Sequence, residues 1–132
     1  ISKRGGGPCM IPKDKHDLAA VEQLKKADAE FVIPILPQLL EWIQDMNWPI
    51  AEPMVELLLH YPNEITPLVE EVLRGDDDMW IYWCLVSIVP KLPFYSKLVL
   101  ADAVEKIADL EENPFNESNI EAAKEALQSF EP

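Results

Sequence analysis

The chain is poor in the side chains from which reactive sites are usually built. It has two histidines, His16 and His60, far apart in sequence, and two cysteines, Cys9 and Cys84. That supply does not give the clustered donors of a zinc or calcium site, and the run Asp76-Asp77-Asp78 lacks the alternating spacing of a calcium loop. No serine-nucleophile signature occurs. Three of the four glycines are consecutive, Gly5-Gly6-Gly7, without the spacing or the Gly-Lys-Ser/Thr ending of a phosphate-binding loop. The longest uncharged apolar run, Met79–Val89, is too short to span a bilayer, and the N-terminus lacks the basic-then-apolar form of a signal peptide. Alternating strand patterns are missing throughout.

Basic residues are also scarce: 11 Lys and Arg stand against 24 Asp and Glu, a net charge of −13. The imbalance is uneven. Residues 1–26 carry six basic and three acidic side chains, whereas residues 27–132 carry five and twenty-one. Nucleic acids and anionic membranes are bound by neutralising phosphates with Lys and Arg, so neither is expected as a direct partner. A basic protein partner is compatible with this charge, as is a merely solubilising surface.

What is present is helical patterning. With 48% apolar and 27% charged residues, 132 residues can form a globular domain with a real core. Residues 1–9 read as a flexible leader or an expression-derived extension, and residues 10–132 as a single helical-repeat domain. Two unrelated thiols in such a domain read as reduced, which fits a cytoplasmic protein.

Leu18, Val21 and Leu24 mark a first helix, capped by Asp14 or Asp17. Asp28 is the next expected cap. Phe31, Val32, Ile35, Leu36, Leu39, Leu40 and Ile43 share one face that Pro34 and Pro37 interrupt, so a short helix should end near Ile33 and a longer one reach about Asp45. Asn47 fits the following corner, with a left-handed backbone or as a cap, and Pro49 fits the start of a helix that Pro53 kinks. By this reading an Asn47→Leu change costs about 1 kcal/mol.

Asn63 is the expected cap of a helix bearing Ile65, Leu68, Val69, Val72 and Leu73, with Glu70, Glu71 and Arg74 outward and Gly75 as its terminator. Asp76–Asp78 then cap Met79–Val89. That stretch is apolar around its whole circumference, which predicts a central helix enclosed by neighbours. Leu100, Ala103, Val104, Ile107 and Leu110 mark the next helix. The last has two competing starts, Asn116 with Phe115 stapled on Ile120, or a capping box from Ser118 to Glu121. Ile120, Ala123, Leu127 and Phe130 form its stripe.

Leu36–Pro62 and Ile65–Pro90 repeat weakly, each passing through an acidic corner into a tryptophan, Trp48 or Trp80. Residues 97–130 supply a third, diverged pair. The expectation is an all-α fold of stacked antiparallel helix pairs, as a HEAT-like α-solenoid or a compact right-handed helical array.

Ile11–Asp17, Leu39–Ala51 and Asp77–Trp80 resemble the bacterial family catalogued as domain of unknown function 5071. Its most specific block here is Trp-Ile-Gln-Asp-Met-Asn-Trp-Pro, residues 42–49. The resemblance covers Met10 to the C-terminus. It implies a helical fold in a bacterial cytoplasmic setting and carries no catalytic residues.

An acid–base site would have to come from Glu41, Asp45, Asp76–Asp78 or His60, and nothing in the pattern singles out such a pair. The expectations are therefore no catalytic residue, no metal and no cofactor. The favoured reading is a small acidic interaction module, with Trp42, Asp45, Asn47, Trp48, Asp76, Asp77, Asp78 and Trp80 as candidate partner-binding residues. The alternatives are an immunity-type inhibitor of a basic toxin and an enzyme with a carboxylate/His site. Oligomeric state is not legible.

Overall fold

Helical stripes punctuated by proline and acidic corners produce short helices, and the computed structural model, which describes residues 11–130, consists of them. The helices are α1 (Leu18–Lys26), α2 (Ala29–Val32), α3 (Leu36–Leu40), α4 (Ala51–Leu58), α5 (Pro62–Leu73), α6 (Asp78–Ser87), α7 (Phe94–Ala108) and α8 (Glu117–Gln128). Tight 3-10 turns occupy Ile33–Ile35, Glu41–Ile43 and Val89–Lys91. Among the described residues there is no strand, and no helix is long and apolar enough to cross a membrane. The expected leader, residues 1–9, and the Cys9 half of the cysteine question lie outside the described residues.

Asp17, not Asp14, caps α1: its carboxylate accepts from the Ala20 N–H at 3.2 Å and from the Lys13 N–H at 3.0 Å. Asp14 instead accepts from His16 N–H in the preceding turn. Asp28 stands at the start of α2 but its side chain makes no capping bond. The long helix expected up to Asp45 is broken up. Pro34 enters a 3-10 turn, Pro37 falls in the first turn of α3, and the backbone tightens again at Glu41–Ile43. Successive prolines remove the N–H groups that a continuous ladder needs.

The corner at residues 45–50 is two consecutive turns. Trp48 N–H donates to the Asp45 carbonyl at 3.1 Å, and Ala51 N–H to the Trp48 carbonyl at 3.0 Å. The Asp45 carboxylate accepts from Asn47 N–H at 2.9 Å, the side-chain turn that aspartate favours. Asn47 thus corrects two expectations. Its backbone is not left-handed, and it does not cap α4, whose flanking residue is Ile50. Pro49 sits inside the second turn at the position its fixed φ suits. Pro53 lies in the first turn of α4, where a missing N–H breaks no intrahelical bond. Ile50 N–H donates to the Lys15 carbonyl at 3.1 Å, docking the corner onto the approach to α1.

Pro62 opens α5 in place of closing α4, because its missing N–H is free at that position, and Asn63 is already inside the helix. Gly75 follows α5 without a left-handed backbone. Space explains it better, since a Cβ there would sit 3.3 Å from the Val72 carbonyl oxygen. Asp77 caps α6 as expected, accepting from Trp80 N–H at 3.2 Å. For α8, Asn116 is the flanking residue, but its side chain turns back to Asn113 N–H and the Glu111 carbonyl. Neither the capping box nor the Phe115 staple forms. Phe115 is 85% exposed.

The order of contacts fixes how helices run. Asn63 meets Tyr95, Thr66 meets Ser96 at 2.8 Å, and Arg74 meets Asp102 at 3.0 Å, so α5 and α7 are parallel. Asn119 donates to the Asp78 carbonyl at 3.1 Å near the starts of α6 and α8, while Val86 and Ala122 line a common cavity further along; these two are parallel as well. Lys97 near the start of α7 reaches the Ser129 carbonyl just past α8, so α7 and α8 are antiparallel. Helix α3 packs on α4 and α5, and α1 on α4.

Leu24, Leu39, Ile43, Ile50, Met54, Leu58, Ile65, Leu85, Ile88 and Leu100 are fully buried along this stack. Each such side chain contributes about 1.5–3 kcal/mol of transfer free energy. Leu18, Phe31 and Leu110, read as core from their spacing, are instead about half exposed.

The α6 helix departs from its expected enclosure. Of its residues only Ile81, Cys84 and Leu85 are fully buried, while Met79 is 53% exposed. Its apolar circumference is covered on one side and open on the other.

Candidate partner-binding groove

The residues singled out in the sequence, Asp78 apart, fall into two groups. Trp42 and Trp48 flank the first corner and meet edge-to-face, with ring centroids 5.8 Å apart and planes at 69°. Both are partly buried and pack against the core. Asp45 is spent on its turn, and Asn47 is exposed. This group is structural in its contacts. Trp48 and Trp80, expected as counterparts, differ in setting, since Trp48 lies in a turn before its helix and Trp80 lies inside α6.

The second group lines a groove. Trp80 is positioned by the Asp77 cap, which fixes the first turn of α6, and by its own indole N–H, which donates to the Leu40 carbonyl at 3.2 Å. This bond joins the start of α6 to the end of α3. Beside it opens a cavity of about 260 Å³ between α3, α5 and α6. Leu40, Leu68, Val72 and Trp80 provide apolar walls, and Glu41, Glu71, Asp76 and Asp77 supply four carboxylates. All four acidic residues are exposed, and among the described residues no ion pair falls on them.

Asp78 belongs to neither group. It sits in the first turn of α6 and lines a separate cavity on the other side, with Met79, Tyr82 and Trp83. The Asp76–Asp78 run therefore divides two surfaces.

Sequence reasoning missed Glu71, Leu40 and Leu68 as groove residues and weighed Glu41 only as an acid–base candidate. Glu71 was readable as outward-facing, but its convergence with Glu41 depends on how α3 packs against α5. No local signal carries that.

The groove sets four exposed carboxylates beside an aliphatic and indole wall. Solvated carboxylates attract a positive charge, and an indole wall accommodates the aliphatic stem or the cationic head of Lys or Arg. Among the described residues no three His, Cys, Asp or Glu side chains converge as a metal site requires. His60 is exposed just past the end of α4 and does not line the groove.

No curated protein matches the chain. A family model described as Domain of unknown function (DUF5071) matches residues 10–130.

Proposed function

The chain belongs to the DUF5071 family, a domain of unknown function, and from that premise we propose that it is a protein-interaction module whose Trp80 groove receives a basic segment of a partner protein. The observation that carries this reading is the groove itself. Four exposed carboxylates without an ion pair border an apolar wall that includes a tryptophan fixed at both backbone and indole. The net charge of −13 would steer a basic partner towards it and raise the association rate at low salt.

The stacked-pair reading of the fold goes with it. Parallel α5/α7 and parallel α6/α8 are what stacked helix pairs of the HEAT type require, because each pair is then carried onto the next by a similar displacement. Such stacks hold their binding surfaces on neighbouring helices, as this groove is held. A basic toxin inhibited by the chain would be one partner of the same class, in a cytoplasmic setting.

The test is affinity capture from an extract of the source organism at low and high salt. Wild-type protein is compared with a Glu41→Gln/Glu71→Gln variant, which leaves the Asp77 cap intact. A basic protein recovered at low salt, reduced at high salt and lost with the variant supports the proposal. Equal recovery by both proteins, or an acidic partner, contradicts it.

A further inference from the structure

The open side of α6 forms a second groove, independent of the Trp80 groove and not needed by it. Its floor is unusual for a chain this acidic. Met79 and Phe115 are 53% and 85% exposed, and together with Tyr82 and Trp83 they surround a cavity of about 340 Å³. A second cavity of about 150 Å³ continues it along α8 and shares Tyr82 and Ser118 with the first. On α6 the lining runs from Asp78 to Val86, and on α8 from Ser118 to Glu125. Because the two helices are parallel, the groove follows both for about two turns, some 12 Å.

Its two ends differ in chemistry. The end beside Met79, Trp83 and Phe115 is mainly apolar with the single Asp78 carboxylate at its rim, whereas the far end is bordered by two, Glu121 and Glu125, one turn apart on α8. Neither glutamate falls in an ion pair among the described residues. The Trp83 indole N–H is buried without an acceptor. Groups like these are uncommon in native folds and favour a contact that supplies an acceptor or lets the ring reorient.

We propose that the groove between α6 and α8 receives an amphipathic helix of a protein partner, with a large apolar anchor seated among Met79, Trp83 and Phe115 and Lys or Arg residues one to two turns away against Glu121 and Glu125. The elongated shape selects a helix over a compact small molecule. Charge complementarity selects a basic flank, and an acidic second copy of this chain would bring its own carboxylates to the same rim. The polarity of the groove also sets the order in which anchor and basic residues occur along the bound helix.

The probe is a synthetic amphipathic helix with a Phe/Leu anchor and a Lys/Arg flank two turns away, titrated into the full chain and followed by tryptophan fluorescence and calorimetry. A second peptide carries the same residues with anchor and flank exchanged along the same helical frame, and a third replaces the basic flank with Glu. Saturable binding of the first, at least tenfold tighter than either other, is expected. Met79→Glu, at an exposed position, should weaken it at least tenfold, and Glu121→Gln/Glu125→Gln should remove most of its salt dependence. Glu41→Gln/Glu71→Gln removes only binding at the Trp80 groove, so in that background the dependence on Met79 and on Glu121/Glu125 should persist, which separates failure here from failure of the Trp80 groove. Equal affinity for all three peptides, indifference to Met79→Glu, or a dimer whose dissociation follows Met79→Glu overturns the proposal.

Discussion

Asp45 and Asp77 do similar local work, each accepting from a backbone N–H just ahead of it, and each should cost about 1 kcal/mol when replaced by Ala. Asn47→Leu should cost no more than about 0.5 kcal/mol, since its exposed side chain neither caps α4 nor relieves a left-handed backbone. Urea unfolding of the three variants checks the order; an Asn47 variant as unstable as the Asp45 variant contradicts it. The tryptophans make a second contrast. Trp80→Phe leaves the Leu40 carbonyl without the indole donor and should cost about 1 kcal/mol, whereas Trp83→Phe removes a donor that has no acceptor and should cost less than half as much. Equal destabilisation would mean that ring volume, not hydrogen bonding, decides both. Much of this scale was legible. The caps were legible only to within a choice of aspartates, Asp14 or Asp17 for α1 and the run Asp76–Asp78 for α6, and Asp28 shows that an aspartate ahead of an apolar stripe need not cap it. Asn47 was misread, and Asn116 marks the start of α8 without capping it, because an Asn side chain can turn backwards to a loop as easily as forwards to a helix, and spacing does not distinguish the two.

Between elements, Arg74 ties α5 to α7. Its guanidinium meets Glu70 on its own helix and Asp102 on the next, both at 3.0 Å. The Arg74 hydrogen bond, with help from Lys106, holds the Asp102 carboxyl below its ordinary range. A carboxylate depressed in the folded state stabilises above its unfolded pKa, near 3.9, and loses that contribution as pH falls through the lower folded value. Asp102→Asn should therefore flatten the decline of stability below about pH 4, and the difference should shrink in high salt because the pair is exposed. An acid limb of unchanged slope would show that the tie is not coupled to folding. Cys84 in α6 is fully buried, and desolvation pushes its thiol well above the ordinary range. Alkylation quantified on the Cys84 peptide should be negligible in native protein and complete in denaturant; rapid native labelling would mean that α6 opens. Helix existence was legible at this scale, helix length was not. The expected helix up to Asp45 is shortened to Leu36–Leu40 and tightens at Glu41–Ile43, while Pro37, Pro53 and Pro62 each lie in a first turn and break no intrahelical bond. The exposure of α6 was also illegible, since an apolar circumference records no count of neighbours.

At the scale of the whole molecule, an excess of thirteen negative charges opposes compaction, so the melting temperature should rise between low and physiological salt. A fall would show that the few ion pairs outweigh the general repulsion. The all-α class followed from the sequence because stripes, caps and corners agreed with one another along its length. The grooves did not, because each joins residues some thirty to forty positions apart, such as Glu41 with Glu71 and Asp78 with Asn119. Reception of basic side chains by the groove beside Trp80 is what we propose. It is tested most directly by ¹H–¹⁵N spectra recorded while a capped peptide of alternating Leu and Arg is titrated into the labelled chain, with a Leu–Glu peptide as control. Saturable shifts are expected at the Trp80 indole and at the amides of Glu71, Val72 and Gly75, abolished by Glu41→Gln/Glu71→Gln. Shifts spread evenly over the acidic surface, or produced equally by the Glu peptide, would contradict it.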